Sequence, residues 1–171
     1  IGLVGSEMCI RDRLLTACIN PDGMPFTCLA DVGVRKKQYI EALNFYLKNT
    51  TRKIVFVENS GTDISSSFKD FQHRIEFLCF DGNLCFDKRK GKGYGEALIL
   101  EYAMAKSEFI TDDVLIFKLT GRLQLININR LIHYMDKLSP SKNFVCVVPP
   151  QNNSVDSRCF VCNKYYLENI F

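Results

Sequence analysis

The sequence predicts an α/β fold: a mostly parallel sheet with helices on both faces. Three observations carry this. Runs such as "KIVFVENSG" (53–61), "IEFLCFDGN" (75–83) and "DVLIFKLTGR" (113–122) are apolar at consecutive positions rather than alternate ones, as in strands covered on both faces. Segments of helical spacing lie between them, and that alternation builds a parallel sheet. Each run also leaves through a polar or glycine-containing turn, and in such sheets ligands sit beyond the carboxyl ends of the strands.

In chain order, "LLTACIN" (14–20) is a short apolar run ending at Asn20-Pro21-Asp22-Gly23, read as a strand and a loop. "RKKQYIEALNFYLKN" (35–49) places Tyr39, Ile40, Leu43, Tyr46 and Leu47 on one face of a helix. The strand at 53–61 turns at Asn59-Ser60-Gly61. "TDISSSFKDFQ" (62–72) suits a short helix capped by Thr62 or Asp63. The strand at 75–83 exits at Asp81-Gly82-Asn83, and a helix follows from about Tyr94 to Lys106. The strand at 113–122 ends in Thr120-Gly121-Arg122. "NINRLIHYMDKL" (127–138) has helical spacing, while "NFVCVVPP" (143–150) and "SRCFVC" (157–162) read as strands. The order is β-α-β-α-β-α-β-α-β-β, and the polar exits of the first four strands are expected on one rim.

Composition bounds the function. The 171 residues are 47% hydrophobic and 24% charged with net charge +3, which suits one globular domain and makes no demand for nucleic acid. No apolar run approaches the roughly 18 residues of a membrane span, and no signal-peptide pattern opens the chain, so the reading is cytoplasmic. The 8 cysteines sit mostly in apolar runs such as "FLCF" and "FVCVV". Cys159 and Cys162 form one C-x-x-C, but a zinc site needs a second ligand pair, and His73 and His133 are isolated; buried free thiols are expected. "SEMCIRDR" (6–13) resembles a translated sequencing adapter. Residues 1–13 are therefore read as a non-native segment, with an ordinary helical N-terminus as the alternative, and 14–171 as a domain incomplete at its C-terminus.

"GKGYGE" (91–96), preceded by "DKRK", invites a phosphate-binding reading. A dinucleotide fingerprint needs G-x-G-x-x-G after the first strand, and a Walker loop needs G-x-x-x-x-G-K-S/T. Neither spacing is present. What remains is general: glycines admit close backbone approach, and the first N–H groups of a helix attract anions. A solvated loop that simply caps the helix is the competing reading.

The order of motifs resembles the nucleotide-binding half of a GT-A glycosyltransferase over roughly residues 14 to 162. "VFVENSGTDIS" stands where that family has an acidic or amide-rich turn, and "GKGYGEALILEYAMA" where it has a glycine loop opening a helix. "LIFKLTGR" stands on the strand that normally ends in Asp-x-Asp. The pair "K-G-x-G-E" and "K-h-T-G-R" is similar to bacterial capsule and lipopolysaccharide biosynthesis transferases. The resemblance implies a nucleotide-diphosphate sugar as donor and a glycan or lipid-linked acceptor. Any peripheral attachment to the inner face of the cytoplasmic membrane would belong to the missing C-terminal part.

It also implies roles for individual residues. Asn20 and Pro21 would lie against the base, and Glu58 and Asn59 would replace the acidic pair that fixes base and ribose. Gly93, Tyr94, Gly95 and Glu96 would sit beside ribose and diphosphate. Arg122 is the departure: a guanidinium where carboxylates would hold a metal can bind diphosphate directly and bidentately and stabilise the departing nucleotide. No divalent metal is expected. Asp112-Asp113 precede the strand and are read as a turn or cap. Asp156 is the candidate base for the acceptor hydroxyl, with a turn or cap residue as the equal alternative, and Arg158 would bind an acidic acceptor or donor phosphate. Glu96 also has a plain reading, as a carboxylate at a helix start. Two other functions stay open: a non-catalytic domain of the same fold, and a sugar-phosphate nucleotidyltransferase, whose glycine- and arginine-rich loop "NPDGMPFTC" lacks.

Overall fold

A computed structural model describes residues 10–84, 87–112, 115–137, 144–146 and 156–170. Six strands, β1 Ile10–Ala17, β2 Lys53–Glu58, β3 Ile75–Cys79, β4 Leu115–Thr120, β5 Phe144–Cys146 and β6 Cys159–Asn163, form one sheet in the order β3-β2-β1-β4-β6-β5. β1 runs parallel to both β2 and β4, and β2 parallel to β3. β6 is antiparallel to β4 and to β5, giving the sheet a mixed edge. The expected α/β class, a mostly parallel sheet with helices, is the observed one.

Four α-helices accompany the strands: α1 Val32–Asn49, α2 Gly91–Lys106, α3 Ile128–Asp136 and α4 Lys164–Ile170. α1 begins at Asp31, whose carboxylate accepts the Val34 amide at 2.7 Å, a standard N-cap. Period-two alternation in β1 divides the core. Leu15 and Ala17 face Tyr39, Leu43 and Tyr46 of α1 with Ile128 and Ile132 of α3. Leu14 faces the other way, with Ile99 and Leu100 of α2 and Leu167 of α4. Helices therefore cover both faces.

Several boundaries move for physical reasons. β1 starts at Ile10 and stops at Ala17, because side chains from α1 and β2 capture the peptides of residues 18 and 19. α2 begins at Gly91, three residues earlier than expected, with Gly91 at φ +81°. α4 was not expected; Asn163 accepts the Tyr166 amide at 2.8 Å and so starts it. The expected strand at 143–150 is described for Phe144–Cys146, and its remaining positions, like Asp113, lie outside the described residues.

Residues 10–13 form the first half of β1. Arg13 is fully buried there on the α1 side, donating to the Thr50 hydroxyl with its guanidinium carbon 5.9 Å from the Tyr46 ring centroid. The C-x-x-C cysteines point to opposite faces of the sheet: Cys159 packs on the α1–α3 core and Cys162 inside the α2–α4 core. Spacing by three in a strand does this, so the two thiols do not converge on one ion. Burial pushes the Cys162 thiol up to about 12.

Candidate functional site

Because β1, β2, β3 and β4 are parallel, their exits share one edge of the sheet, and backbone hydrogen bonds tie those exits together. Thr16 O accepts from Gly121 N at 2.8 Å, Ala17 O from Asn59 N at 3.1 Å, and Asn59 O from Gly82 N at 2.9 Å. Gly121 suits the close approach of the two strands: a Cβ there would stand 3.0 Å from Thr16 O and 3.4 Å from both Leu15 and Tyr39, so a neighbour would have to shift. Above this edge lies a cleft of about 400 Å³, walled by the loop after β1, the first turns of α2 and the exit of β4. Its charged lining is Arg35, Lys92, Glu96 and Arg122.

The floor of the cleft joins the two sequence motifs. Glu96, the last residue of "GKGYGE", accepts from the ammonium of Lys118, the first of "KLTGR", and both contacts use Oε1, since the Thr16 hydroxyl also reaches that atom at 3.4 Å. Lys118 is fully buried, and it also donates to Ser157 O. Burial holds its pKa below the ordinary ammonium value, and the Glu96 carboxylate acts in the opposite direction. Lys118 and Thr16 were not singled out from the sequence. A lysine inside an apolar strand, "LIFKLT", was the signal, since such a charge needs a partner.

Arg122 follows directly. It is exposed, lines the cleft, and makes no hydrogen bond or ion pair among the described residues. Arg35, also not singled out, is 7% exposed and works differently. Its guanidinium donates to Cys18 O, to Ile19 O at 3.1 Å and to Leu29 O at 3.1 Å, so it folds the β1–α1 loop and has few donors left for a ligand. Tyr39 completes that brace, accepting the Cys18 amide at 3.0 Å.

The remaining expected residues divide. Pro21 and Asn59 line the cleft; the Asn59 side-chain oxygen is buried without a hydrogen-bond partner. Asn20 shapes the loop instead, accepting the Asp22 amide at 3.1 Å and donating its own amide to Ser60 at 2.9 Å. Glu58 is 1% exposed, and its carboxylate accepts the amides of Ile19 (2.8 Å), Ser60 (2.9 Å) and Thr62 (2.8 Å) and the Ser60 hydroxyl. Those contacts occupy both oxygens, so Glu58 clamps two exits together and is not part of the cleft lining.

Gly93, Gly95 and Glu96 line the cleft with Lys92, which donates to Phe26 O across it. Tyr94 does not. Since α2 already starts at Gly91, the helical turn of about 100° per residue carries Tyr94 to the far side, where it lines a second groove of about 460 Å³ between α2 and α4. The Lys90 ammonium lies 4.3 Å from its ring centroid.

Asp156 and Arg158 pair with each other. The guanidinium donates to the carboxylate through Nε at 2.8 Å and Nη2 at 2.6 Å, and the Arg158 amide adds a bond of 3.0 Å. These bonds lower the Asp156 carboxyl to about 2. A general base works best with a pKa near the working pH, so this geometry suits the turn role better than proton abstraction. Neither residue lines the cleft, although Ser157 between them does.

For a metal, the donor set is poor. The one carboxylate in the cleft lining, Glu96, is engaged by Lys118, and no group of three His, Cys, Asp or Glu side chains stands together among the described residues. Asp112 pairs with Lys164 at 3.0 Å, before β4 begins and so at the end of the strand away from the cleft.

No protein-family model matches the chain, and no curated protein sequence does either. Among solved structures it is similar to the glycosyltransferase GlyE of Streptococcus pneumoniae TIGR4, with a TM-score of 0.54 and 10% identity. The superposition covers 94% of this chain and 36% of that one. At this identity the likeness is one of fold, and the chain spans about a third of the other protein's length.

Proposed function

We propose that the cleft is the donor site of a glycosyltransferase, holding a nucleotide-diphosphate sugar whose glycosyl group passes to a glycan or lipid-linked acceptor in surface polysaccharide synthesis. The observation that carries this reading is Arg122, an unengaged guanidinium at the exit of β4 and at the mouth of a cleft whose other wall is the start of α2. Planar guanidinium matches diphosphate oxygens bidentately, and the N-terminal end of α2 adds an attractive field for anions. In the transfer, an acceptor hydroxyl oxygen bonds to the anomeric carbon while the bond to diphosphate breaks. The hydroxyl proton goes to a base, and Arg122 takes up the charge of the leaving nucleotide. The donor set described above supports cationic side chains in the place of a metal. Asn59, with its unpartnered oxygen, is the ligand acceptor on the β2 side.

The test is a thermal-shift titration with UDP, GDP, CDP and their sugar conjugates, with and without EDTA. One nucleotide class should raise the melting midpoint equally with chelator, and Arg122→Ala should weaken its binding about tenfold or more, the usual size for a charge-assisted hydrogen bond. A stabilising effect that EDTA abolishes would overturn the metal-free reading. A second reading, a nucleotide-sugar-binding domain without catalysis, is favoured by the locked Asp156 carboxylate. Hydrolysis or transfer of a bound sugar nucleotide by this chain would eliminate it.

A further inference from the structure

Glu96 has one oxygen in use and one to spare. Oε1 takes both Lys118 and Thr16, whereas Oε2 makes no hydrogen bond among the described residues, and the side chain is 23% exposed on the cleft lining. Its direction is not free to drift. Lys118 is fully buried, rooted in β4 and held a second time by Ser157 O, so the carboxylate plane is pinned from below. A carboxylate oxygen fixed in this way accepts hydrogen bonds and offers none. Arg122, on the same cleft, is a donor that accepts none. On one cleft lining, the two together ask for a ligand with an anionic end and a hydroxyl-bearing end.

We infer that Glu96 is the residue that reads the sugar of the donor, its Oε2 accepting a hydroxyl of an uncharged hexose, with Lys118 as the positioning residue that aims it. This rests on the donor-site reading and deepens it by naming the sugar class. A hexose brings hydroxyl donors to an acceptor-only atom, and a hydrogen bond to a carboxylate is among the stronger kind. Glu96 is then a recognition group, and proton abstraction falls to another residue.

The experiment compares the full chain with two variants by isothermal titration against UDP, UDP-glucose, GDP and GDP-mannose. The readout is the ratio of hexose-conjugate affinity to bare-diphosphate affinity for whichever nucleotide binds. Glu96→Ala combined with Lys118→Met removes both charges together, which avoids stranding either one in the interior. That variant should bind the bare diphosphate within about twofold of the parent, while the ratio falls about tenfold or more, as for a hydrogen bond to a charged group. Lys118→Met alone leaves the Glu96 carboxylate uncompensated on the cleft lining. It should weaken bare diphosphate and conjugate alike through charge and also lower their ratio by a smaller factor, a change in ratio that loss of fold stability would not produce. An unchanged ratio in the double variant, including the case where both affinities fall in parallel, overturns the inference and leaves the donor site standing. Failure of the parent chain to bind either diphosphate overturns the donor site beneath it.

Discussion

Two ion pairs meet the end of β4, one inside the cleft floor and one outside it. Glu96–Lys118 joins a side chain 23% exposed to one that is fully buried, whereas Asp156–Arg158 joins 19% to 71%. By hydrogen-bond geometry the outer pair is the better one, with a forked guanidinium–carboxylate contact and an added amide. By consequence the inner pair dominates. Water screens the outer pair and can replace either partner. Nothing replaces Glu96 for a buried ammonium, so burial and not geometry decides what each pair does for the fold.

Breaking the inner pair from one side should have the largest effect. Glu96→Ala strands Lys118 with only Ser157 O and is expected to cost about 3 kcal/mol in urea unfolding, the lower end for an orphaned buried charge because Glu96 itself is partly exposed. A loss no larger than that of a surface substitution would erase the contrast. The next effect is read by pH. The folded-state pKa of Lys118 lies below its ordinary value, so the folded chain holds fewer protons than the unfolded one between that lowered value and the usual ammonium range. This contribution to stability therefore rises with pH across that window, and Lys118→Met should remove the rise. Cys162 and Cys79 act in the opposite sense. Their thiols titrate at about 12 and about 11 in the folded chain, so stability from them is present below the ordinary thiol value and is lost as pH climbs beyond it. The thiol contributions are common to both chains and cancel in the difference between parent and Lys118→Met, which therefore isolates the Lys118 contribution. The smallest effect belongs to Asp156→Asn. The melting midpoint at neutral pH should fall only slightly, because water screens this exposed pair. The acid limb should flatten by the same small amount, because stability tied to a carboxyl lowered to about 2 is present above the ordinary carboxylate range and lost as pH falls from there toward 2.

Much of the fold was legible. Continuous apolar strands, helical spacing between them and polar exits sufficed for the element order and for the shared rim, because each signal is local. The site was legible in part. Gly93, Gly95, Glu96, Arg122, Pro21 and Asn59 do line one cleft. Tyr94, placed beside the ribose by the resemblance, lines the groove between α2 and α4 instead, because α2 starts at Gly91. The resemblance gives Glu58 a place at the base and ribose, whereas backbone amides from two loops occupy its carboxylate at the end of β2. Arg35 carried no distinguishing mark beside Lys36 and Lys37 until α1 turned it inward.

Local pattern alone determined the layered α/β class, the polar exits along the carboxyl edge where the cleft lies, and glycine and arginine at the exit of β4. Tertiary structure alone decided which charges meet. Glu96 and Lys118 are 22 residues apart, and Thr16 lies 80 residues from Glu96. Their meeting depends on α2 packing over β1 and β4 in one register, with Thr16 opposite Thr120. Periodicity reports which face a residue takes within its own element, but the partner across a sheet is set by strand order and register, which no short stretch of sequence encodes.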